Sequence, residues 1–232
     1  MLSKICNLPV KGFLDTSFID WDGYMCAVIF LGGCNFRCPF CHNRDLVLFP
    51  GKLSDMPLSY VRGRLKRYRK WIDRVVITGG EPTIHDGLLY LLQIFKEDGF
   101  KVKLDTNGYL TEVIKNVVER GLIDSISMDI KGPIDRYEKW CGLSIEKKRI
   151  ERTVEFLKSS PIDYEFRITF VPSFHEEEDI YEVARFLKGA KVLKVQGFRP
   201  KDTIDPSFMQ IVPASREKLE NIRKKVREIL EG

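Results

Sequence analysis

The hydrophobic pattern changes between two periods along the chain. Six short runs of apolar, largely β-branched residues predict strands over 25–31, 74–79, 101–106, 125–130, 164–171 and 192–198. Between and after them, apolar residues recur at helical spacing and predict helices over 87–99, 111–121, 150–160, 179–189 and 215–232. Alternation of this kind is typical of parallel strands joined by right-handed crossovers, and it predicts an α/β fold.

Roughly six strand–helix units are too few to close an eight-stranded barrel. We therefore predict a partial, open (β/α)6 TIM-like barrel with parallel strands. Residues 1–24 are predicted to form an N-terminal extension with a turn at 20–23, and residues 25–232 a single domain, because no linker interrupts them. In such folds the functional residues collect at the carboxyl ends of the strands.

Composition indicates a globular protein, since 44% of the 232 residues are apolar and 31% are charged. The longest strongly apolar run, 25–34, is far shorter than the roughly 20 residues of a membrane span, and we find no signal-peptide pattern. We expect a cytoplasmic protein with reduced thiols and no membrane association.

The net charge of +5 is modest, and the densest basic segment is 61–71, with six Lys or Arg residues. The simplest interpretation of this segment is a solvated helix face. The sharper hypothesis is a docking surface for an acidic partner or for nucleic acid, of which nucleic acid is the less favoured.

Three of the six cysteines, Cys34, Cys38 and Cys41, form a C-x3-C-x2-C pattern behind the first predicted strand. Zinc requires a fourth nitrogen or sulfur ligand, and the nearest candidate, His42, directly adjoins Cys41. The C-x-x-C-H pattern also fits c-type haem, but no export signal accompanies it. Three structural cysteines at this density are less favoured still. An iron–sulfur cluster fits best, because thiolates select it and three ligands leave one iron open.

At this point a resemblance becomes specific. The cysteine pattern, with Phe40 before its last cysteine, resembles the signature of the radical S-adenosylmethionine superfamily, and "GGEP" (79–82) resembles that family's second motif. The resemblance implies a [4Fe-4S] cluster whose open iron binds S-adenosyl-L-methionine and reductively cleaves it to a 5′-deoxyadenosyl radical. The implied metal ligands are Cys34, Cys38 and Cys41. Gly79, Gly80 and Glu81 are expected to meet the methionine ammonium.

Two further segments, "LDTNG" (104–108) and "MDIK" (128–131), resemble the glycyl-radical-enzyme activating enzymes, the group that serves pyruvate formate-lyase and anaerobic ribonucleotide reductase. The resemblance implies that Asp105, Thr106 and Asp129 lie near a monovalent cation, and that Lys131 pairs with the methionine carboxylate. Further cofactor contacts are expected at Phe40, Cys41, His42 (through its backbone, beside the adenine), Asn107, Ile130 and Arg199. No catalytic residue beyond the cluster is expected.

The same resemblance implies an oxidoreductase that removes hydrogen from a glycine of a partner glycyl radical enzyme, with ferredoxin or flavodoxin as electron donor. The basic segment is a candidate docking surface for that donor. The pyruvate formate-lyase activating enzyme carries a histidine near the nucleoside after its sixth strand. Here Phe198 or Arg199 stands in that place, which weakens any specificity for pyruvate formate-lyase.

Two alternatives remain open at the level of sequence. One is a small-molecule radical enzyme such as 7-carboxy-7-deazaguanine synthase, and the other is a non-catalytic iron–sulfur or zinc module that senses redox state or binds RNA. Cys6, Cys26 and Cys141 are not at cluster spacing, and we predict that Cys26 belongs to the core. His85 and His175 are predicted to be structural, and the direction of Arg167 is left open.

Overall fold

The structure, a computed structural model, describes residues 8–232. Its sheet has seven strands, and their order in the sheet is their order along the chain. The strands are β1 (Val10–Ser17), β2 (Cys26–Leu31), β3 (Arg74–Gly79), β4 (Lys101–Thr106), β5 (Ser125–Asp129), β6 (Asp163–Phe170) and β7 (Leu193–Gly197). The sheet is open and mostly parallel, which confirms the predicted fold class.

Helices connect the strands and follow the last one. They are α1 (Arg44–Leu48), α2 (Leu58–Tyr68), α3 (Leu88–Glu97), α4 (Thr111–Glu119), α5 (Glu138–Cys141), α6 (Lys147–Ser159), α7 (Glu177–Phe186) and α8 (Arg216–Glu231). All six predicted strands and all five predicted helices are present. Their ends differ by a few residues, because propensity fixes the interior of an element better than its termini.

The described chain forms two compact units, each described here by itself. The first comprises the chain up to Asn35, Asp45–Thr106 and Glu112–Ile126. In it β2 pairs in parallel with β3, and β3 with β4. The β2–β3 register places Leu31 beside Gly79, so that both strands end at the same level. The loops that follow them therefore begin side by side.

Strand β1 lies at the edge of this unit and pairs antiparallel with β2. Sequence analysis did not predict this strand, which falls inside the predicted N-terminal extension. Two irregularities in its register and a half-exposed burial pattern explain why its alternation is weak. The predicted turn is present, since Tyr24 donates its amide to the Trp21 carbonyl and Gly23 has φ +76°. The proposed boundary at residue 24 remains a prediction.

The second unit comprises Phe36–Arg44, Asn107–Thr111 and Ser127–Gly232. Its strands β6 and β7 are parallel. Along β6 the apolar residues Phe166, Ile168 and Phe170 are buried, whereas Glu165 and Arg167 alternate with them. This period of two places the charged pair on the opposite face of the strand from the buried apolar side chains.

Candidate functional site

In the first unit, the glycine-containing loops that follow β2 and β3 are joined by backbone hydrogen bonds. The Gly80 amide donates to the Leu31 carbonyl and the Glu81 amide to the Gly33 carbonyl, both at 2.8 Å. A Cβ on Gly80 would lie 1.8 Å from the Gly33 carbonyl oxygen, so no other residue fits without moving the backbone. The predicted second motif therefore lies against the loop that leads into Cys34.

The Glu81 carboxylate is 1% exposed and is held by two threonines. Its Oε1 accepts hydrogen bonds from the Thr83 amide at 3.1 Å, the Thr83 hydroxyl at 2.5 Å and the Thr106 hydroxyl at 2.7 Å. Three donors on one oxygen hold the carboxylate in a single orientation. The structure thus brings two predicted site residues, Glu81 and Thr106, into direct contact.

Asp105 has a cationic neighbour that sequence reasoning missed. The Lys103 ammonium lies 3.9 Å from Asp105 Oδ1 and donates to the Asp20 carbonyl at 2.8 Å. Both side chains are buried. The strand period could have revealed this neighbour, because residues i and i+2 of a strand share a face.

In the second unit, Cys38 and Cys41 occupy one turn, closed by a hydrogen bond of 3.0 Å from the Cys41 amide to the Cys38 carbonyl. This turn is bonded to a distant segment, since Ile204 donates to the Cys41 carbonyl and Asp205 to the Pro39 carbonyl. Sequence reasoning missed that segment. Burial raises the pKa of the Cys41 thiol, although the Asn43 amide and the Lys131 charge oppose the rise.

His42 and the segment after β7 lie together. The His42 ring stacks on Phe198 with 5.4 Å between the ring centroids, and its Nε2 is hydrogen-bonded to the Arg199 carbonyl. Phe198 is buried and Arg199 is exposed. Of the two residues left open after the last strand, Phe198 provides the ring that packs on His42 and Arg199 provides a backbone acceptor.

The Asp129 carboxylate forms ion pairs with two cationic side chains. The Arg167 Nε lies 2.8 Å from its Oδ1, and the Lys131 Nζ lies 3.3 Å from its Oδ2. Burial alone would raise the pKa of Asp129, but the two cations outweigh it and lower the pKa to about 2. The Asp129 charge in turn raises the pKa of Lys131 against the effect of burial. Arg167, whose direction the sequence left open, therefore faces the predicted cofactor residues.

The remaining predicted cofactor residues have mainly backbone or packing contacts. Ile130 donates its amide to the Arg167 carbonyl at 2.8 Å, and Asn107 Oδ1 accepts from the Tyr109 amide at 3.0 Å in a local turn. The Phe40 ring packs against Phe174 and His175.

His175 contacts a predicted cofactor residue, and sequence analysis did not identify this contact. Its ring is 1% exposed, and its Nε2 lies 2.9 Å from the Lys131 carbonyl oxygen. We predicted that it was structural and without a visible partner. The structure shows that its partner is the backbone of a predicted cofactor residue, across 44 residues of sequence.

The other chemistry-bearing residues have structural surroundings. Cys26 is fully buried at the start of β2, which confirms the core prediction, and burial raises its pKa to about 11. Cys141 is buried and is not part of a disulfide. Burial lowers the pKa of His85. Cys6 lies outside the described residues.

The basic segment is partly neutralised in the structure. Arg62 and Lys66 both pair with Asp98, and Arg64 pairs with Asp15. These ion pairs favour the solvated-helix interpretation for residues 62–66 of α2. Among residues 8–232, no helix combines the length and the apolar character that a membrane span needs.

The donor chemistry fits an iron–sulfur cluster. Cys34, Cys38 and Cys41 take part in no disulfide of the described residues, and the division of the chain places Cys34 in the first unit and the other two in the second. Within the described chain, neither unit by itself brings three metal-ligating side chains together. The three-cysteine ligand set therefore remains a prediction.

Comparisons with known proteins agree with the predicted resemblance. The Radical SAM superfamily model matches residues 28–187. A candidate glycyl-radical enzyme activating enzyme of Methanocaldococcus jannaschii is 34% identical over 220 residues, which cover 93% of this chain and 90% of that protein. The pyruvate formate-lyase-activating enzyme of Clostridium pasteurianum is 25% identical over 251 aligned positions and covers 100% of both chains.

A second enzyme class also matches. The 7-carboxy-7-deazaguanine synthase of Aquifex aeolicus is 35% identical over 88 residues, or 38% of each chain. Among solved structures, TYW1 with a bound lysine–pyruvate adduct has a TM-score of 0.59 at 20% identity, covering 88% of this chain and 73% of that one. At that identity, the structural match supports the fold alone.

Proposed function

The chain belongs to the Radical SAM superfamily, whose model covers residues 28–187, and from this premise we propose that it is a glycyl-radical-enzyme activating enzyme. In this proposal it cleaves S-adenosylmethionine reductively and removes a hydrogen atom from a glycine of a partner enzyme. The partner is a glycyl radical enzyme of the anaerobic ribonucleotide reductase or pyruvate formate-lyase type. The observation that carries the proposal is the 34% identity to a candidate activating enzyme along 93% of the chain.

We assign the cluster to the thiolates of Cys34, Cys38 and Cys41. When bound, a [4Fe-4S] cluster with one open iron supplies the electron and the coordination position that this chemistry needs. The chain's own tasks are to hold the cofactor, to orient it and to exclude water. The residues assigned to those tasks carry both signs of charge, as a ligand with a sulfonium, an ammonium and a carboxylate requires.

Glu81 is assigned to the ammonium of S-adenosylmethionine, and its three hydrogen bonds keep the carboxylate oriented. Lys131 is assigned to the carboxylate of the ligand. Its ammonium is anchored by Asp129, yet 18% of its side chain is exposed, so it can accept a second anion. Gly79 and Gly80 are assigned to backbone contacts with the ammonium of the ligand, since glycine lets a backbone approach a ligand closely. Gly80 also lets this loop pack on the Gly33 carbonyl, where a Cβ would lie 1.8 Å from the oxygen.

The other assignments are less direct. Asp105, Thr106 and Asp129 are assigned to a monovalent cation. Phe40, Cys41, His42, Asn107, Ile130 and Arg199 are assigned to the rest of S-adenosylmethionine. Ferredoxin or flavodoxin as electron donor and a cytoplasmic location remain predictions.

A second candidate function has support of its own. The 35% identity to a 7-carboxy-7-deazaguanine synthase favours a small-molecule substrate, although that match covers 38% of the chain. The two functions differ in the substrate on which the 5′-deoxyadenosyl radical acts. A glycyl radical enzyme would acquire a radical on its own backbone, whereas 6-carboxytetrahydropterin would be converted to a new small molecule.

The test mixes anaerobically reconstituted protein, S-adenosylmethionine and dithionite with each candidate glycyl radical enzyme of the same genome. We expect a glycine-centred doublet in the electron paramagnetic resonance spectrum of one mixture. If no mixture gives the doublet, while incubation with 6-carboxytetrahydropterin yields 7-carboxy-7-deazaguanine, the small-molecule function is correct and the proposal is wrong.

A further inference from the structure

We propose that His175 is a positioning residue for Lys131, and that it tunes how tightly the chain binds the carboxylate of S-adenosylmethionine. The inference rests on the function proposed above, in which Lys131 pairs with that carboxylate. His175 is 1% exposed and its Nε2 is hydrogen-bonded to the Lys131 carbonyl, so its effect passes through the backbone of Lys131.

The hydrogen bonds of His175 fix its protonation state. Its Nδ1 lies 3.2 Å from the Val171 amide nitrogen, and a ring nitrogen that faces an N–H must accept. The single ring proton is then on Nε2, which donates to the Lys131 carbonyl at 2.9 Å. The neutral imidazole therefore links the end of β6 to the backbone of Lys131.

The backbone on the other side of Lys131 is held as well. The Lys131 amide donates to the Tyr137 hydroxyl at 3.1 Å. Trp140 stacks on the His175 ring with centroids 4.2 Å apart and an angle of 4° between the planes. A Cβ on Gly132 would lie 2.3 Å from the Trp140 ring, so the chain after Lys131 is pressed against the indole. We call Tyr137, Trp140 and His175 the lysine clamp.

The clamp matters because the Lys131 ammonium lies at the end of a flexible four-carbon stem, so the position of the Lys131 backbone limits the region that the ammonium can reach. Its ammonium lies 3.3 Å from Asp129 Oδ2, and Asp129 is fixed in turn by Arg167. One end of Lys131 is thus held by a charge and the other by the clamp. Loss of the His175 hydrogen bond would let the Lys131 backbone move, and the ammonium would meet an incoming carboxylate less well.

The alternative is that His175 only fills the core. The two possibilities differ in which ligands are affected. A general loss of packing weakens every part of the cofactor site, whereas loss of positioning weakens only ligands that carry the carboxylate. We therefore compare S-adenosylmethionine with 5′-deoxyadenosine, which lacks the amino-acid moiety.

Two substitutions at position 175 separate hydrogen bonding from packing. His175→Phe keeps a ring against Trp140 and removes both hydrogen bonds, whereas His175→Gln keeps one donor and one acceptor. Tyr164→Leu is the matched control, since Tyr164 is 4% exposed and packs on Phe166 at the opposite end of β6. Dissociation constants are measured by anaerobic equilibrium dialysis of the reconstituted protein.

We expect His175→Phe to raise the dissociation constant of S-adenosylmethionine roughly fivefold, which is the effect of losing one neutral hydrogen bond. Its affinity for 5′-deoxyadenosine should stay within about twofold of wild type, and His175→Gln should recover most of the loss. Tyr164→Leu should change neither constant. In a Lys131→Met background, His175→Phe should have no further effect, because the two residues act as a unit.

The inference is overturned if His175→Phe weakens the binding of both ligands equally or of neither. It is also overturned if the effect of His175→Phe on binding persists undiminished in the Lys131→Met background. A wild-type protein that binds no S-adenosylmethionine overturns the proposed function and the inference together. Tight wild-type binding with an unselective His175→Phe effect overturns the inference alone.

Discussion

Thr106 Oγ1 lies 2.7 Å from Glu81 Oε1, so the last residue of β4 donates a hydrogen bond to the glutamate that follows β3. Thr83 donates to the same oxygen through its amide and its hydroxyl. A carboxylate held by several donors is oriented before a ligand arrives, which reduces the ordering cost of binding. The parallel register of neighbouring strands makes this contact possible.

Replacing Thr106 with valine removes the hydroxyl and keeps the shape of the side chain. Because one donor to a buried carboxylate is lost, we expect S-adenosylmethionine to bind about fivefold more weakly, as for a hydrogen bond worth about 1 kcal/mol. Thr106→Ser keeps the hydroxyl and should bind nearly as tightly as wild type. Titration of both variants with the ligand checks this, and equal affinity of the valine variant and wild type would show that the Thr106 bond has no role in binding.

Replacing Gly80 with alanine should damage the loop pair after β2 and β3. The added Cβ would meet the Gly33 carbonyl oxygen at 1.8 Å, and we expect the free energy of unfolding to fall by about 2–3 kcal/mol. The matched control is Gly63→Ala in α2, where no atom lies within 4 Å. There the free energy should rise by about 0.5–1 kcal/mol, because a helical glycine is replaced. Urea unfolding measures both, and an unaffected Gly80→Ala would contradict the close loop contact.

Replacing Arg167 with methionine leaves Asp129 with Lys131 as its remaining described cation. The Asp129 carboxylate then competes more strongly for the Lys131 ammonium, and its uncompensated charge repels a carboxylate ligand. We expect about tenfold weaker binding of S-adenosylmethionine, equivalent to about 1.4 kcal/mol. Arg167→Lys retains the charge and should lose less. If the methionine variant binds more tightly than wild type, the described charge balance is wrong.

Protonation of His175 should destabilise the folded chain. Burial lowers the pKa of His175 to about 4 from 6.5, although its bond to the Lys131 carbonyl opposes that shift. Below pH 6.5 the unfolded chain binds a proton that the folded chain rejects, so stability is full above pH 6.5 and falls towards about pH 4. The expected loss is about 3 kcal/mol over that window. The free energy of unfolding should depend less on pH in His175→Phe than in wild type. Urea unfolding at several pH values between 4 and 7 measures this dependence. Parallel plots of the free energy of unfolding against pH for the two proteins would show that His175 is not its cause.

Local pattern explains how much of the fold could be predicted. The apolar runs of β2 to β5 are largely buried and those of β6 and β7 alternate with polar residues, so these strands were visible in the sequence, whereas β1 is a half-exposed edge strand with an irregular register. The sequence left the direction of Arg167 open, and only the structure shows that its side chain donates a hydrogen bond to Asp129.

The site was predictable where its chemistry is local in sequence. The cysteine pattern and the glycine-rich loop lie within short segments, and Glu81 follows the glycines directly. The link between His175 and Lys131 spans 44 residues and two loops, and no spacing rule joins them. The ion pairs of Arg62 and Arg64 were hidden for the same reason, because their acidic partners are distant in sequence.

The most direct test of the central claim is the electron paramagnetic resonance spectrum of the reduced, anaerobically reconstituted protein before and after S-adenosylmethionine is added. The spectrum should change, and 5′-deoxyadenosine should form. Cys34→Ser, Cys38→Ser and Cys41→Ser should each abolish both results, whereas Cys26→Ala and Cys141→Ala should retain them. A protein that carries four irons, shows no spectral response to the ligand and forms no 5′-deoxyadenosine would contradict the claim that these three cysteines leave one iron open.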